Sequence, residues 1–342
     1  MCIRDRVNSF LIVRLGSLGD VVHGIPVVGA LRQEFPASRI DWMVDPRYVE
    51  LLNLVVGLDR RIGVDPRAIK RGGARQRFRE TLRELRDTKY DAAIDLQGLL
   101  KSAMLARSIR ARRTIGFPRK HLREPLARLF YTDAPDPGDA THVIYKNLAL
   151  LAPLHVTDRR VRFPLEIPHT ATSEQIIDRF GGRDYALINP GAAWPNKRWP
   201  PARFGAVAAA IAREFGWRSL VLWGPGEQEM AHEVVAESGG AADISPPTTI
   251  TDLVGVARNA RLMISGDTGP LHIAGAVNTP IVAVYGPTLP ERNGPWGLSD
   301  VAISRVRQCS CLYERTCRET ERCIDDISVA EVISAVQRRV AA

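Results

Sequence analysis

Short apolar, β-rich runs alternate with helix-patterned stretches along this chain, and the rhythm starts twice. A strand that is followed by a helix before the next strand can pair only in parallel, so the pattern predicts an α/β protein with doubly wound parallel sheets. In the first half, Phe10–Leu15 reads as a strand opening into a helix near Val21–Phe35, and Arg39–Val44 as the second strand. Asp91–Leu96 is a later strand, preceded by a helix whose Phe78, Leu82 and Leu85 share one face. In the second half Tyr185–Asn189, Arg218–Trp223, Leu262–Ser265 and Ile281–Tyr285 read as strands. Helices are expected over Pro200–Phe215 and Glu227–Ser238, and another opening at Asp267-Thr268-Gly269. At 342 residues the chain exceeds the usual ceiling of one hydrophobic core. Pro153, Pro164 and Pro168 mark a linker between domains 8–165 and 170–342. The leader Met1–Arg6 has neither the apolar centre of a signal peptide nor helical periodicity, and is set apart from the fold.

Composition excludes several classes. An apolar content of 45% argues against disorder, and no run approaches the ~18 apolar residues of a membrane-spanning helix. Five cysteines are too few and too unevenly placed for a secreted disulfide framework, which points to a reducing, cytoplasmic setting. The formal net charge of +9 is concentrated: residues 60–79 carry +7 and residues 101–128 carry +8, leaving −6 for the remainder. Such a field suits a polyanion, an anionic lipid or phosphorylated glycolipid; the other reading is a solvated helix face with ordinary arginine usage. Nucleic acid is disfavoured, because no aromatics interleave with the cations and no helix-turn-helix or zinc-finger pattern occurs.

In doubly wound sheets ligands bind beyond the carboxyl ends of the strands, so the loops that follow strands are where chemistry is expected. The first is Gly16-Ser17-Leu18-Gly19-Asp20, which lacks the spacing of a dinucleotide fingerprint and sets Asp20 at a helix start, as an N-cap or as a general base. The second, Asn189–Pro200, offers backbone amides with Lys197 and Arg198 for phosphate charge. Alternatively, Trp194 and Trp199 are packing anchors there and Lys197 is a surface charge. The third, Trp223–Glu229, carries carboxylates that either bind ribose hydroxyls or cap the next helix. The fourth, Ser265-Gly266-Asp267-Thr268-Gly269-Pro270-Leu271-His272, joins small residues to a helix with Pro in its first turn, an anion site within reach of His272. Together the loops describe a nucleotide-diphosphate site in the C-terminal domain and a basic acceptor site in the N-terminal one.

These residues resemble the ADP-heptose:lipopolysaccharide heptosyltransferases of glycosyltransferase family 9. The resemblance rests on LIVRLGSLGDVVHGIPVVGALRQEFP, YDAAIDLQGLLKSAMLAR, REPLARLFY, NPGAAWPNKRWP and ISGDTGPLHIAGAVNTPIVAVYGPTLP, the middle segments leaning toward the heptosyltransferase I branch. It implies a GT-B fold: two Rossmann-like domains with the active site between them, and no metal or cofactor. By resemblance, Asp20 is the catalytic base and Lys197 binds donor phosphate. Asp267, Thr268 and Gly269 with His272 cradle the pyrophosphate of ADP, and Glu229, in preference to Glu227, binds the ribose. Acceptor contacts are implied for Arg67, Lys70, Lys101, Arg119, Lys120 and His142. Ala192 and Ala193 depart from the pattern, standing where many members carry Ser or Thr.

The expected reaction is inverting transfer: Asp20 deprotonates an acceptor hydroxyl, which attacks the anomeric carbon in line as ADP leaves. Lys197 and the helix start after Thr268 would meet the leaving-group charge in place of a metal. The expected partners are an ADP-heptose donor, a Kdo–lipid A type acceptor, and the cytoplasmic face of the inner membrane as a peripheral contact. Two other readings stand beside this one: another GT-B enzyme such as a nucleotide-sugar 2-epimerase, or a non-catalytic binder of anionic glycolipid or nucleotide. Cys309, Cys311, Cys317 and Cys323 lack the CxxC pairs of ordinary zinc ribbons, and reduced thiols are favoured over a four-thiolate metal site.

Overall fold

The computed structural model describes residues 9–65 and 72–342, and the chain divides into two compact units between Glu166 and Ile167. In the N-terminal unit β1 (Ser9–Val13), β2 (Arg39–Val44), β3 (Arg60–Gly63), β4 (Ala92–Asp95) and β5 (Arg113–Ile115) form one parallel sheet in the order β3-β2-β1-β4-β5. Its helices are α1 (Leu18–Val22), α2 (Ile25–Glu34), α3 (Val49–Asn53), α4 (Gly72–Asp87), α5 (Leu100–Ser108) and α6 (Val143–Ala149). Leu11 and Val13 of β1 pack with Met43, Ala93 and Ile109, and α4 closes this core with Leu85, backed by Phe78 and Leu82. That is the stripe its sequence spacing calls for.

One local expectation changes and one is sharpened. The single helix over Val21–Phe35 is two helices, because Pro26 has no N–H to give to the carbonyl of Val22, so the ladder breaks and restarts at Ile25. Gly24 fits the break because Trp42 lies where a Cβ would be, 2.7 Å from it. The Pro-punctuated stretch expected as a linker does hold the boundary between the units, after Glu166, but its end is tied to the N-terminal unit: Val56 N donates to Pro164 O and Glu166 N to Leu54 O, both at 2.8 Å. Proline surrenders a donor but keeps its carbonyl, so such a segment still docks along a neighbouring chain.

The C-terminal unit repeats the plan with β6 (Tyr185–Asn189), β7 (Arg218–Val221), β8 (Ala242–Ile244), β9 (Leu262–Gly266), β10 (Ile281–Tyr285) and β11 (Val301–Ser304). They are all parallel in the order β11-β10-β9-β6-β7-β8. Its helices are α7 (Ala171–Arg179), α8 (Pro201–Phe215), α9 (Gln228–Glu237), α10 (Ile250–Asn259), α11 (Gly269–Ala276), α12 (Pro290–Asn293) and α13 (Val329–Ala341). β6 is buried along its whole length, as a central parallel strand covered on both faces must be. In each sheet the strand order reverses beside the first strand, between β1 and β4 and between β6 and β9. The loops after these four strands therefore border a crevice in their own unit.

Candidate functional site

In the N-terminal unit the loop after β1 is braced by the loop after β4. Arg14, nearly buried, donates from Nη1 to Leu96 O at 2.5 Å and pairs through Nη2 with Asp20 Oδ1. Leu15 N donates to Gln97 Oε1 at 2.9 Å. The N-cap of α1 is Ser17; Asp20 is the third helical residue, and its Oδ2 accepts from Ser17 N and Ser17 Oγ, each at 2.9 Å. Its side chain keeps 36% of its surface in solvent. The carboxylate is thus fixed in direction by three donors yet open on one side.

Behind the β4 loop lies Asp95, fully buried, accepting from Gln97 N at 2.8 Å, Ser102 Oγ at 2.8 Å and Tyr131 Oη at 2.7 Å. Burial pushes this carboxyl up from its ordinary range, while the surrounding donors oppose the shift. The contacts of Arg14 with Leu96, Asp95 with Tyr131 and Gln97 with Leu15 join residues more than thirty positions apart, which no local spacing announces.

The acceptor candidates separate. Arg67 and Lys70 lie outside the described residues. Lys101 at the start of α5 and Arg119 and Lys120 in the turn after β5 are exposed at the carboxyl side of the sheet, Lys120 pairing with Asp136 at 2.5 Å. His142 is a correction: it is buried, caps α6 by accepting from Ile144 N at 3.2 Å through Nδ1, and meets the ring of His23 edge-on at 5.5 Å. Its Nδ1 is thus taken up by the cap, unlike the exposed Lys101, Arg119 and Lys120.

The charge count is corrected too. Arg61 binds the carbonyls of Leu52, Val55 and Leu58, Arg113 binds Asp133 and the carbonyl of Pro153, and Arg60 pairs with Glu84. Arg110 and Arg112 follow α5, which runs back against the strands, and so lie at the far edge of the sheet.

The C-terminal unit concentrates its polar groups at the ends of β6 and β9. Asp267 is almost fully buried and is the hub: Oδ2 takes Lys197 Nζ at 2.5 Å and Thr288 Oγ1 at 2.8 Å, while Oδ1 takes Asn293 Nδ2 at 2.8 Å and faces His272 Nε2 at 3.3 Å. Burial opposes the charge, but His272 and Lys197 outweigh it and hold the carboxyl well below the usual carboxylate range. Lys197 is also seated over the Trp194 ring, 4.5 Å from its centroid.

In the turn expected to cradle pyrophosphate, the Asp267 carboxylate is turned inward onto Lys197 and His272 faces that carboxylate. Thr268 is the N-cap of α11, its hydroxyl held by Asn189 Nδ2 at 3.2 Å and Ser265 Oγ at 3.1 Å. Gly269 opens the helix, whose first amides have no partner inside it.

The third loop separates its two carboxylates. Glu229 is exposed on the first turn of α9. Glu227, just before the helix, accepts from Gly224 N at 3.1 Å and lies so close to Gly191 that a Cβ there would fall 2.0 Å from its Oε2. Glu227 is thus the carboxylate held beside the β6 loop.

Trp199 is a packing anchor, buried and donating to Ile327 O at 2.9 Å. The cysteine segment supports the same loop: Asn196 Nδ2 donates to Glu314 O at 3.0 Å, and Arg322 to Pro195 O at 3.0 Å. Its four thiols are free, with Cys309 and Cys311 sulfurs 3.5 Å apart, and burial pushes Cys309 and Cys323 up from the ordinary thiol range. Among the described residues no three His, Cys, Asp or Glu side chains are arranged to hold a metal ion.

Two doubly wound parallel-sheet units, each with polar loops at its point of strand reversal, have the fold of the GT-B class. The sequence profile of glycosyltransferase family 9 (heptosyltransferase) matches residues 78–322, well over half of the chain, and the chain belongs to this family. Lipopolysaccharide heptosyltransferase 1 of Pseudomonas aeruginosa is 30% identical over 90% of this chain and 86% of its own length. The Escherichia coli enzyme of the same name is 27% identical over 87% and 94%. Among solved structures, a family 9 glycosyl transferase from Veillonella parvula superposes with a TM-score of 0.80 at 25% identity, covering 98% of this chain and 97% of that one. An E. coli heptosyltransferase solved with ADP-2-deoxy-2-fluoro heptose shares the fold with a TM-score of 0.76, covering 96% and 99% at 23% identity.

Proposed function

We propose that this glycosyltransferase moves a heptose from ADP-heptose to the Kdo-bearing inner core of lipopolysaccharide, with inversion and without a metal. The observation that carries the reading is the buried Asp267, which holds Lys197 beside the start of α11 in a chain of family 9. A cation and a helix start at one point suit a pyrophosphate that gains charge as it leaves. In this reading Lys197, Thr268 and Gly269 receive the pyrophosphate, Asp267 and His272 position Lys197, and Glu227 takes the ribose.

On the acceptor side Asp20 accepts the proton of the attacking hydroxyl, whose oxygen bonds to the anomeric carbon as the bond to the ADP oxygen breaks. Arg14 and Ser17 keep the carboxylate aimed. Lys101, Arg119 and Lys120 attract the acidic sugar, with Arg67 and Lys70 completing the acceptor set. The deciding experiment offers ADP- and UDP-sugars with and without deacylated Kdo–lipid A. Transfer of heptose from the ADP donor alone is expected; donor turnover with no acceptor product, or epimerised donor, would overturn the reading.

A further inference from the structure

Trp194 is half-buried and carries a second cation besides Lys197. The guanidinium carbon of Arg315 lies 6.0 Å from the centre of the same ring, at the outer reach of a cation–π contact. Arg315 ends the stretch Cys311–Arg315, which is tied to the chain neighbours of the side chains that hold Asp267. Asn196, beside Lys197, donates from Nδ2 to Glu314 O at 3.0 Å. Tyr313 N donates at 2.8 Å to the carbonyl of Pro287, beside Thr288, and Arg292, beside Asn293, lies over the Tyr313 ring at 5.4 Å. Lys197, Thr288 and Asn293 all bond to Asp267. The stretch is thus braced against the Asp267 site at three points, and it delivers Arg315 to the rim. Arg315 is exposed, and among the described residues no carboxylate pairs with it.

We propose that Arg315 is a second donor-phosphate ligand, sharing with Lys197 the charge of the bound pyrophosphate, and that Trp194 is the platform for both cations. Two cations gathered on one ring repel each other, and Asp267 is already bonded to Lys197, so the pair lacks a counter-charge until an anion arrives. A guanidinium held on an aromatic ring keeps its planar fork of N–H donors available, and that fork matches two oxygens of a phosphate. The cysteine-bearing stretch thereby gains a purpose besides support of the β6 loop: it carries a phosphate ligand. The inference deepens the proposed donor site and rests on its reading as a nucleoside-diphosphate site.

The test is equilibrium dialysis of the full chain against ADP and UDP, with adenosine and uridine as phosphate-free controls. Arg315→Gln should weaken ADP binding about tenfold, the loss of one charge-assisted contact, and leave adenosine binding unchanged. Arg315→Lys, which keeps the charge without the fork, should fall between Arg315→Gln and wild type, and Trp194→Leu should lose at least as much ADP affinity as Arg315→Gln. Unchanged ADP affinity in Arg315→Gln would make the residue a solvated surface cation and overturn the proposal. An equal loss of adenosine binding, which marks a distorted site, or an Arg315→Lys variant as weak as Arg315→Gln, would overturn it too. If wild type takes UDP in place of ADP, the proposed donor falls, while the Arg315 contact is still read as a loss of UDP binding without a loss of uridine binding. Binding of neither diphosphate by wild type would overturn both.

Discussion

Asp267 shows how a single buried carboxylate gathers the polar side chains of several loops at one point. Its folded value is depressed below the unfolded one, so the stability it contributes is complete above the unfolded value of about 3.9 and is lost as pH falls below it. The C-terminal unit should therefore melt at progressively lower temperature from about pH 5 downward, and Asp267→Asn should flatten that slope while raising donor KM by releasing Lys197. Differential scanning calorimetry across pH checks the first, and a donor titration the second. Asp20 is the complementary case. Asp20→Asn keeps the Ser17 hydrogen bonds but removes the base, so kcat should fall by about 10²–10⁴ while donor affinity stays within a few-fold. Equal losses in both, read by steady-state kinetics and donor calorimetry, would count against its role.

The βα loops become precise only through their neighbours. Glu227 leads Glu229 because Gly191 brings the β6 loop against it; Gly191→Ala should displace that carboxylate and raise donor KM as strongly as Glu227→Gln, with Glu229→Gln unchanged. A donor-saturation series on the three variants distinguishes the two positions. At the end of the chain, α13 starts with Ser328, whose side chain accepts from Glu331 N, while Glu331 is held at about 2 chiefly by Arg305 and also by Ser328. Ser328→Ala should cost about 1 kcal/mol of unfolding free energy, measurable by urea denaturation, with no change in donor binding because the helix lies outside the loops that hold Asp267.

For the molecule as a whole, the excess of positive charge divides into structural and available parts. Arg61 and Arg113 serve as half-buried clamps on backbone carbonyls, so they raise the net charge while adding little to a docking field. Lys101, Arg119 and Lys120 stay at the carboxyl side of the N-terminal sheet. Screening acts on such exposed charges over about 10 Å at 0.1 M salt. Acceptor KM should accordingly rise with ionic strength, and donor KM much less, because Lys197 is sheltered by Trp194 and Asp267. Initial rates over a salt series read both.

The repeated strand–helix rhythm determined the α/β class and the interior strands of both sheets, since period and apolar content report directly on which residues a parallel strand must bury; the short edge strands β3, β5, β8 and β11, less deeply covered, left no such signal. It also placed the four loops that follow strands, and with them Asp20, Lys197 and Thr268. Only the tertiary structure decided what those residues do. Thr288 and Asn293 reach Asp267 across a helix and a strand, Gln97 reaches Leu15 through pairing of distant strands, and His142 is buried where it caps a helix. Spacing along a chain reports on the residue's own element, whereas partners of a buried charge are chosen by packing between elements, which no local pattern contains.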